Sequence, residues 1–390
     1  MNLDGSGYTN LHSFGQDYYT NIDGLQVGRV IVSSDTLYGV AAKGGWYNYG
    51  TLFKIKTDGT GFTVLRHFNN PDMLPQDGLV VSGNTLYGVV SSGGSNGYGA
   101  VFTIKTDGTA FSLLHSFKYN EGSGPLAGLT LAGDTLYGVT PYQGIGAGTV
   151  FKLRTDGSGF AVLHTINIPQ GDAGGPCDLL CVSGNSVYGT SGSTTTTGAI
   201  FRVNIDGTGF TNLHYFYPAP GGTQTNVDGR VPRALTVVGQ TLYGTAAGGG
   251  YYANGVLFKL NTDGSGFMPL YQFPDTPNTR ATNFTGTTPA GPLTIVGNTL
   301  YATAANGGTN GRGSVLSFTL PAASPPLTFV CSRTALVLMW PTNSPGFSVQ
   351  SAGDLASWTN VPIVPTVVNG NYVVTNPIPN APRQFYRLKQ

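Results

Sequence analysis

The chain has 390 residues, of which 9% are charged, with a single glutamate, Glu121; long solvent-facing helices draw on Glu, Lys, Ala and Leu, so a mainly helical fold is excluded. A net charge of +1 leaves no electrostatic footprint for nucleic acid or anionic lipid, and no apolar run reaches the ~18–20 residues of a membrane-spanning helix. Fifty-nine glycines beside 40% hydrophobic residues point to many short strands joined by tight turns around a substantial core.

The chain opens with a fragment. Residues 2–14 carry an Asp-Gly turn at Asp4 and an outer-strand sequence, Leu11-His12-Ser13-Phe14, but nothing that would precede them in a complete unit. A repeat then begins. Leu37-Tyr38-Gly39 returns as Leu86-Tyr87-Gly88, Leu136-Tyr137-Gly138, Val187-Tyr188-Gly189, Leu242-Tyr243-Gly244 and Leu300-Tyr301-Ala302, with the tyrosines 49, 50, 51, 55 and 58 residues apart. Asp-Gly turns recur in step at Asp58, Asp107, Asp156, Asp206 and Asp263. Periods near 50 are those of propeller blades.

One unit reads as four strands. In the third, these are 129–132 (a), 135–140 (b), 149–154 (c) and 160–166 (d), with Gly133-Asp134 turning a into b and Asp156-Gly157 turning c into d. Asp-Gly between alternating runs is a strong hairpin signal. The sixth unit stops at 313–320, its strand c. The missing strand d and the surplus opening segment match. The fold class expected is therefore all-β, a six-bladed β-propeller over 1–320 closed by pairing of the N-terminal strand with the segment around Val315, since an open array would leave bare strand edges. Pro321–Pro326 reads as a stiff linker. Residues 327–390 lose the repeat and show short strands at 327–331, 335–340, 346–350, 361–367, 372–375 and 384–388. They are expected to form a small, immunoglobulin-like β-sandwich around Trp340, Phe347, Trp358, Phe385 and Tyr386.

Leu-Tyr-Gly, a Gly-Gly pair (Gly44-Gly45, Gly93-Gly94, Gly248-Gly249), Leu/Val-Phe-Lys, Asp-Gly-Thr-Gly-Phe and Leu-His-Ser-Phe, in that order, resemble the GloVer tandem repeat of Gloeobacter and Verrucomicrobia proteins, over residues 1–320. The kelch repeat is a more distant likeness. The resemblance implies an exported bacterial protein, located outside the cell or at its surface, and supplies no activity. No charged start followed by an apolar stretch marks a signal peptide in this sequence. Residues 327–390, with Trp340-Pro341, Trp358-Thr-Asn360 and Phe385-Tyr-Arg-Leu388, resemble a C-terminal module of secreted verrucomicrobial proteins.

Candidate chemistry is sparse. His12, His115, His164 and His214 occupy equivalent strand d positions, taken by Arg66 and Tyr271 in other units, and would point around a rim rather than converge on a metal; bonds to neighbouring backbone are expected of them. The Asp-Gly turns lack the further carboxylates that calcium needs. Lys54, Lys56, Lys105, Lys152, Arg154, Arg202 and Lys259 on strand c read as a solvated face. Asp23, Asp172, Asp228 and Glu121 fall in equivalent loops. Cys177 and Cys181, four apart in extended chain, are too distant to bridge, and free thiols are expected, Cys331 included. No nucleophile elbow, zinc-helix or phosphate-loop motif occurs. No metal or cofactor is expected, and the chain is not read as an enzyme.

The hint of function is topological. The a–b and c–d turns are short and uniform, whereas the b–c and d–a loops are long and variable, and those two sets open on opposite faces. Trp46, Tyr47, Tyr49, Tyr98, Tyr142, Tyr251 and Tyr252 are expected on the long-loop face, with Arg29, Asp77, Asp178 and Arg233, just before strand a, around a central mouth. Tyr and Trp offer an apolar body with a polar tip, suited to sugars and proteins. The leading reading is a non-catalytic binding or scaffold protein whose partner is a glycan or an extracellular protein. The rivals are a self-associating fibre subunit that docks through the C-terminal module, and a polysaccharide-active enzyme at the central mouth.

Overall fold

The chain is described by a computed structural model over residues 9–15, 21–76, 78–142, 148–167, 175, 178–192, 198–216, 226–274, 286–309, 311–320, 327–332, 335–341, 347–353, 357–377 and 385–389. It divides into two compact units, Met1–Val296 with Leu300–Phe318, and Gly297–Thr299 with Thr319–Gln390. Among the described residues the structure is all-β, with one short 3-10 turn at Tyr119–Glu121.

In the first unit each repeat folds as its own antiparallel sheet. The first comprises Leu25–Ser33, Thr36–Lys43, Thr51–Lys56 and Thr63–His67 in chain order. The second has Val80–Ser82, Thr85–Ser92, Ala100–Lys105 and Ser112–Ser116, with Met73–Pro75 as an extra pairing on Thr85–Ser92. The third is Thr130–Ala132, Thr135–Thr140, Thr149–Arg154 and Ala161–Thr165, within a residue or so of expectation. The fourth is Cys181–Ser183, Ser186–Ser191, Gly198–Asn204 and Thr211–Phe216; the fifth is Asn226–Val238, Thr241–Gly250, Val256–Asn261 and Met268–Gln272. The sixth has three strands, Thr287–Val296, Thr299–Asn306 and Ser314–Thr319. Residues 9–15 form no strand, so among the described residues the expected pairing of the N-terminal segment with Ser314–Thr319 is not made.

The Leu-Tyr-Gly signature has a packing cause. Its glycine faces a strand c phenylalanine across the ladder: Gly39 opposite Phe53, Gly88 opposite Phe102, Gly138 opposite Phe151. A Cβ on Gly138 would lie 2.4 Å from the Phe151 ring, so only glycine leaves room. In the sixth unit Ala302 replaces the glycine and Leu316 stands where the phenylalanine would be. The tyrosine is buried against the following sheet. Tyr38 packs with Leu86 and Phe102, Tyr87 with Leu136 and Phe151, Tyr137 with Val187 and Phe201, and Tyr188 with Leu242 and Phe258. The core thus lies between consecutive sheets, face against face.

A second device was not visible in the sequence. In the first five sheets the c–d ladder slips at the same place, leaving Leu65, Leu114, Leu163, Leu213 and Leu270 as the extra residue on strand d. Such a bulge bends the strand and re-aims the side chains beyond it. The first four of these leucines lean on the Asp-Gly turn of the next sheet: a Cβ on Gly108, Gly157, Gly207 or Gly264 would sit 3.1–3.3 Å from the corresponding leucine carbonyl oxygen. Leu11 meets Gly59 of the first sheet in the same way.

The second unit has two antiparallel sheets. Thr328–Cys331, Ala335–Pro341, Asn371–Pro377 and Thr366–Val368 make one in that order; Thr359–Asn360, Ser348–Ala352 and Phe385–Lys389 make the other. The strand expected over 361–367 is not formed over 361–365, where Pro362 and Pro365 cannot donate to a ladder; Thr359–Asn360 and Thr366–Val368 flank this stretch on different sheets. Leu338, Trp340, Phe347, Val349, Val374 and Leu388 form the core. Trp358 lies beside it, under the Arg387 guanidinium at 4.2 Å.

Candidate functional site

Four of the b–c loops are built on a common turn. Gly50, Gly99, Gly255 and Gly313 donate their backbone N–H groups to the carbonyls of Gly44, Gly93, Gly249 and Gly307, at 2.9–3.0 Å. The residue after the glycine pair is tied to strand d by its own N–H. Trp46 donates to His67 Nδ1 at 3.4 Å, Ser95 to Ser116 Oγ at 3.2 Å, and Tyr251 to Gln272 Oε1 at 3.1 Å. These loops therefore hold fixed shapes on a sheet scaffold.

Five of the aromatic side chains expected on these loops stand in solvent: Trp46, Tyr47, Tyr142, Tyr251 and Tyr252. Trp46 is 69% exposed, yet its indole lies flat on the His67 imidazole, with ring centres 4.0 Å apart and planes 13° from parallel. Burial holds His67 below its ordinary pKa, against the opposing pull of Asp23; a neutral ring with an unprotonated Nδ1 is what the Trp46 N–H requires. Tyr49 and Tyr98 are half-buried. Tyr49 packs on the Tyr38–Phe102 cluster, and Tyr98 packs on the Tyr87–Phe151 cluster, 6.0 Å from the Tyr119 ring.

The residues expected at the central mouth divide differently. A cavity of about 580 Å³ is bordered by Arg29 and Ile31 of the first repeat, Leu79 of the second, Leu129 of the third, Leu179 of the fourth and Pro292 of the sixth. The segments entering five sheets therefore face one space. Gly78 and Gly128 touch there, since a Cβ on Gly78 would meet Gly128 Cα at 2.5 Å and the Arg29 guanidinium at 2.8 Å. Leu129 N–H donates to the Gly78 carbonyl at 3.1 Å. Asp178 adjoins the lining residue Leu179, whose N–H it accepts at 2.8 Å. Arg233 is half-buried in the fifth sheet, and Asp77 lies outside the described residues.

Two strand d histidines, His12 and His115, bond to carboxylates rather than to the expected backbone, and His214 faces one without a hydrogen bond. His12 Nε2 is 3.1 Å from Asp23, His115 Nε2 2.9 Å from Glu121, and His214 Nε2 3.5 Å from Asp228. Each ring also stacks on the phenylalanine that follows the Asp-Gly turn of the next sheet: Phe62 at 3.7 Å, Phe160 at 3.6 Å and Phe267 at 3.7 Å, with His164 on Phe210 at 3.5 Å. Arg66 takes the same place over Phe111 at 3.4 Å. The bulge explains the difference, because it swings the residue after the extra leucine towards the neighbouring sheet. Asp172, the remaining acid of this series, lies outside the described residues. The equivalent loop positions of these acids were a readable signal, but pairing them with strand d needed the fold.

The turn aspartates are likewise engaged. Thr60 N–H and hydroxyl both donate to Asp58, holding its carboxyl below the usual range, and Asp107, Asp156, Asp206 and Asp263 repeat this. Lys56 pairs with Asp35 at 2.6 Å, and Lys152 donates to the Ile205 carbonyl at 2.6 Å. Burial pushes the Cys181 thiol up to about 12, which makes it a poor nucleophile. Cys331 is exposed and free, and Cys177 lies outside the described residues. No described helix is long and apolar enough to cross a membrane.

Several solved structures show a similar chain trace. A chain of the nidogen/laminin complex is 13% identical with a TM-score of 0.42, over 64% of this chain and 81% of that one. Putative TolB from Agrobacterium tumefaciens is 13% identical with a TM-score of 0.43, over 76% and 91%. Oligogalacturonate lyase from Vibrio parahaemolyticus is 10% identical with a TM-score of 0.44, over 74% and 75%. Curated proteins give no match. The repeat itself is matched by a family model over residues 1–192 and again over 146–332, and on that match the chain belongs to the Gloeobacter/Verrucomicrobia repeat family.

Proposed function

We propose that this chain is a non-catalytic recognition protein acting outside the cell or at its surface. In this reading, six sheets arranged as a β-propeller present the long-loop face to a glycan or a protein, and residues 327–390 form a small β-sandwich joined by a Pro-rich linker. One observation carries the reading: Trp46, Tyr47, Tyr142, Tyr251 and Tyr252 are exposed although the turns around Trp46 and Tyr251 are pinned by hydrogen bonds from their N–H groups to the His67 and Gln272 side chains. Large aromatic groups in water on a fixed framework are the composition of binding hot spots. The ring arrangement is supported by the cavity shared by segments of five sheets and by Leu11 and His12, which lean on the first sheet as Leu114 and His115 lean on the third.

A glycan array and a pull-down from extracellular extracts, run with the intact chain and with Trp46→Ala and Tyr251→Ala, test the proposal. Binding that falls with either variant is the expected result. Binding unchanged in the double variant, or no ligand of either class, would remove it.

A second reading, a subunit that assembles end to end through the C-terminal unit, is favoured by one feature. Thr328–Cys331 is an edge strand exposed along its length, with Phe329 68% exposed, and such edges recruit other strands. Electron microscopy separates the two: filaments would favour assembly, and monodisperse particles would count against it.

A further inference from the structure

We infer that Trp46, backed by His67, is a stacking platform for one pyranose ring of a neutral, β-linked polysaccharide. The inference rests on the recognition reading above and narrows it to one side chain and one ligand class.

The argument begins with rigidity. An exposed tryptophan on a mobile loop would lose rotational freedom on binding, and much of the contact energy would go to ordering it. Here the ordering is already done. The Trp46 N–H is bonded to His67 Nδ1, the loop is closed by the Gly50 N–H on the Gly44 carbonyl, and one indole face is covered by the imidazole at 4.0 Å. What remains in water is the other face. That is a flat apolar plate about the size of a sugar ring.

Chemistry then selects the occupant. The face of an aromatic ring carries the negative end of its quadrupole. A pyranose whose hydroxyls are equatorial turns a patch of weakly positive C–H bonds to such a face and keeps its hydroxyls at the periphery. A β-linked chain of such rings is itself flat. A protein partner would want a wide desolvated surround, whereas the loop around Trp46 supplies Gly44, Gly45, Asn48 and Gly50, with Tyr47 as its exposed aromatic neighbour. The low overall charge likewise gives an acidic or sulfated polymer no advantage.

The repeat also contains its own blank. The second sheet builds the same turn with Ser95 bonded to Ser116, so Trp46→Ser installs a residue that this fold already accommodates there. Tryptophan emission provides the readout, because Trp340 is buried and Trp358 is half-buried under Arg387, leaving Trp46 as the group most accessible to iodide. Cellohexaose is the probe, and sorbitol, which has hydroxyls but no ring, is the comparison.

Cellohexaose is expected to protect the intact chain from iodide quenching, and sorbitol is not. Trp46→Ser should weaken cellohexaose binding by calorimetry about tenfold, which corresponds to ~1.4 kcal/mol. His67→Ser should raise iodide quenching before any sugar is added, by baring the second indole face, and should weaken the sugar severalfold. Unchanged quenching at saturating cellohexaose, or equal affinity in Trp46→Ser, would overturn the inference. If array or extract binding then persisted in Trp46→Ser but vanished in Tyr251→Ala, recognition by the loop face would survive while this platform would not.

Discussion

His115 lies face to face on Phe160, ring centres 3.6 Å apart and planes 10° from parallel, while its Nε2 meets Glu121 at 2.9 Å. The histidine belongs to the second sheet and the phenylalanine to the third. One side chain therefore ties a sheet to its own d–a loop and to its neighbour. The stacking half of this clasp recurs with His12, His164 and His214, and with Arg66 as a cationic version, and His12 repeats the carboxylate bond as well.

A double-mutant cycle measures this clasp. His115→Ala removes the stack and leaves the largely buried Glu121 carboxylate with the Lys118 N–H as its remaining bond, at a cost of about 1–3 kcal/mol. Phe160→Leu alone should cost less. Urea denaturation of both singles and the double should give a coupling of about 0.5–1.5 kcal/mol. Strictly additive changes would mean that the stack contributes nothing beyond buried area.

Acid should loosen the fold through His214. Burial holds the His214 imidazole below its ordinary value of 6.5, with Asp228 pulling the other way. The unfolded chain then takes up the proton first, so native stability is complete above about pH 6.5 and is lost as pH falls through the folded value. His67 shifts in the same direction. Urea midpoints from pH 8 down to pH 5 should decline for the wild type, and the gap to a less stable His214→Gln variant should narrow towards acid. A gap that widens would reverse the sign assigned here.

The pairing of glycine with phenylalanine across the b–c ladder invites a swap. Gly138→Ala places a Cβ 2.4 Å from the Phe151 ring, and overpacking of that kind costs about 1–3 kcal/mol. Phe151→Leu alone leaves a void. The double variant copies the Ala302 and Leu316 of the sixth unit and should be more stable than the Gly138→Ala single by thermal melting. A double variant that melts below both singles would show that the correspondence is coincidental.

These relationships separate local signals from those that need the fold. The strands of the third repeat could be placed to within a residue or so, because Leu-Tyr-Gly and Asp-Gly are local signals whose cause lies in the ladder and the turn they belong to. The bulge at Leu65, Leu114, Leu163, Leu213 and Leu270 could not, since an extra residue in a strand leaves the hydrophobic alternation almost intact. Missing the bulge meant misreading the histidines, which were expected to meet neighbouring backbone. Exposure on the loops was half legible. Trp46 and Tyr251 sit just after a glycine pair and project, whereas Tyr49 and Tyr98, a few residues on, turn back into the core.

The N-terminal segment gives the sharpest test of how the sheets are arranged. Phe14 lies 5.1 Å from Phe53 and His12 stacks on Phe62, so residues 9–15 cover a face of the first sheet that no other sheet is described as covering. Ser314–Thr319, at the other end of the repeat, has Val315 63% exposed and no fourth strand among the described residues. If the array is a ring, one segment lies beside both sheets, although residues 9–15 make no ladder with Ser314–Thr319. Deleting residues 1–15 would then uncover Phe53 and Phe62 and take a neighbour from the sixth sheet. Each large apolar side chain so exposed costs about 1.5–3 kcal/mol. The truncated chain should denature at clearly lower urea, and a synthetic peptide of residues 1–15 added in excess should recover part of the loss, since a ligand that binds only the native state stabilises it by mass action. Amide exchange in Ser314–Thr319 should slow when the peptide binds. A truncated chain that denatures like the full one, or a peptide that protects the first sheet and leaves Ser314–Thr319 unaffected, would show that the ends do not meet.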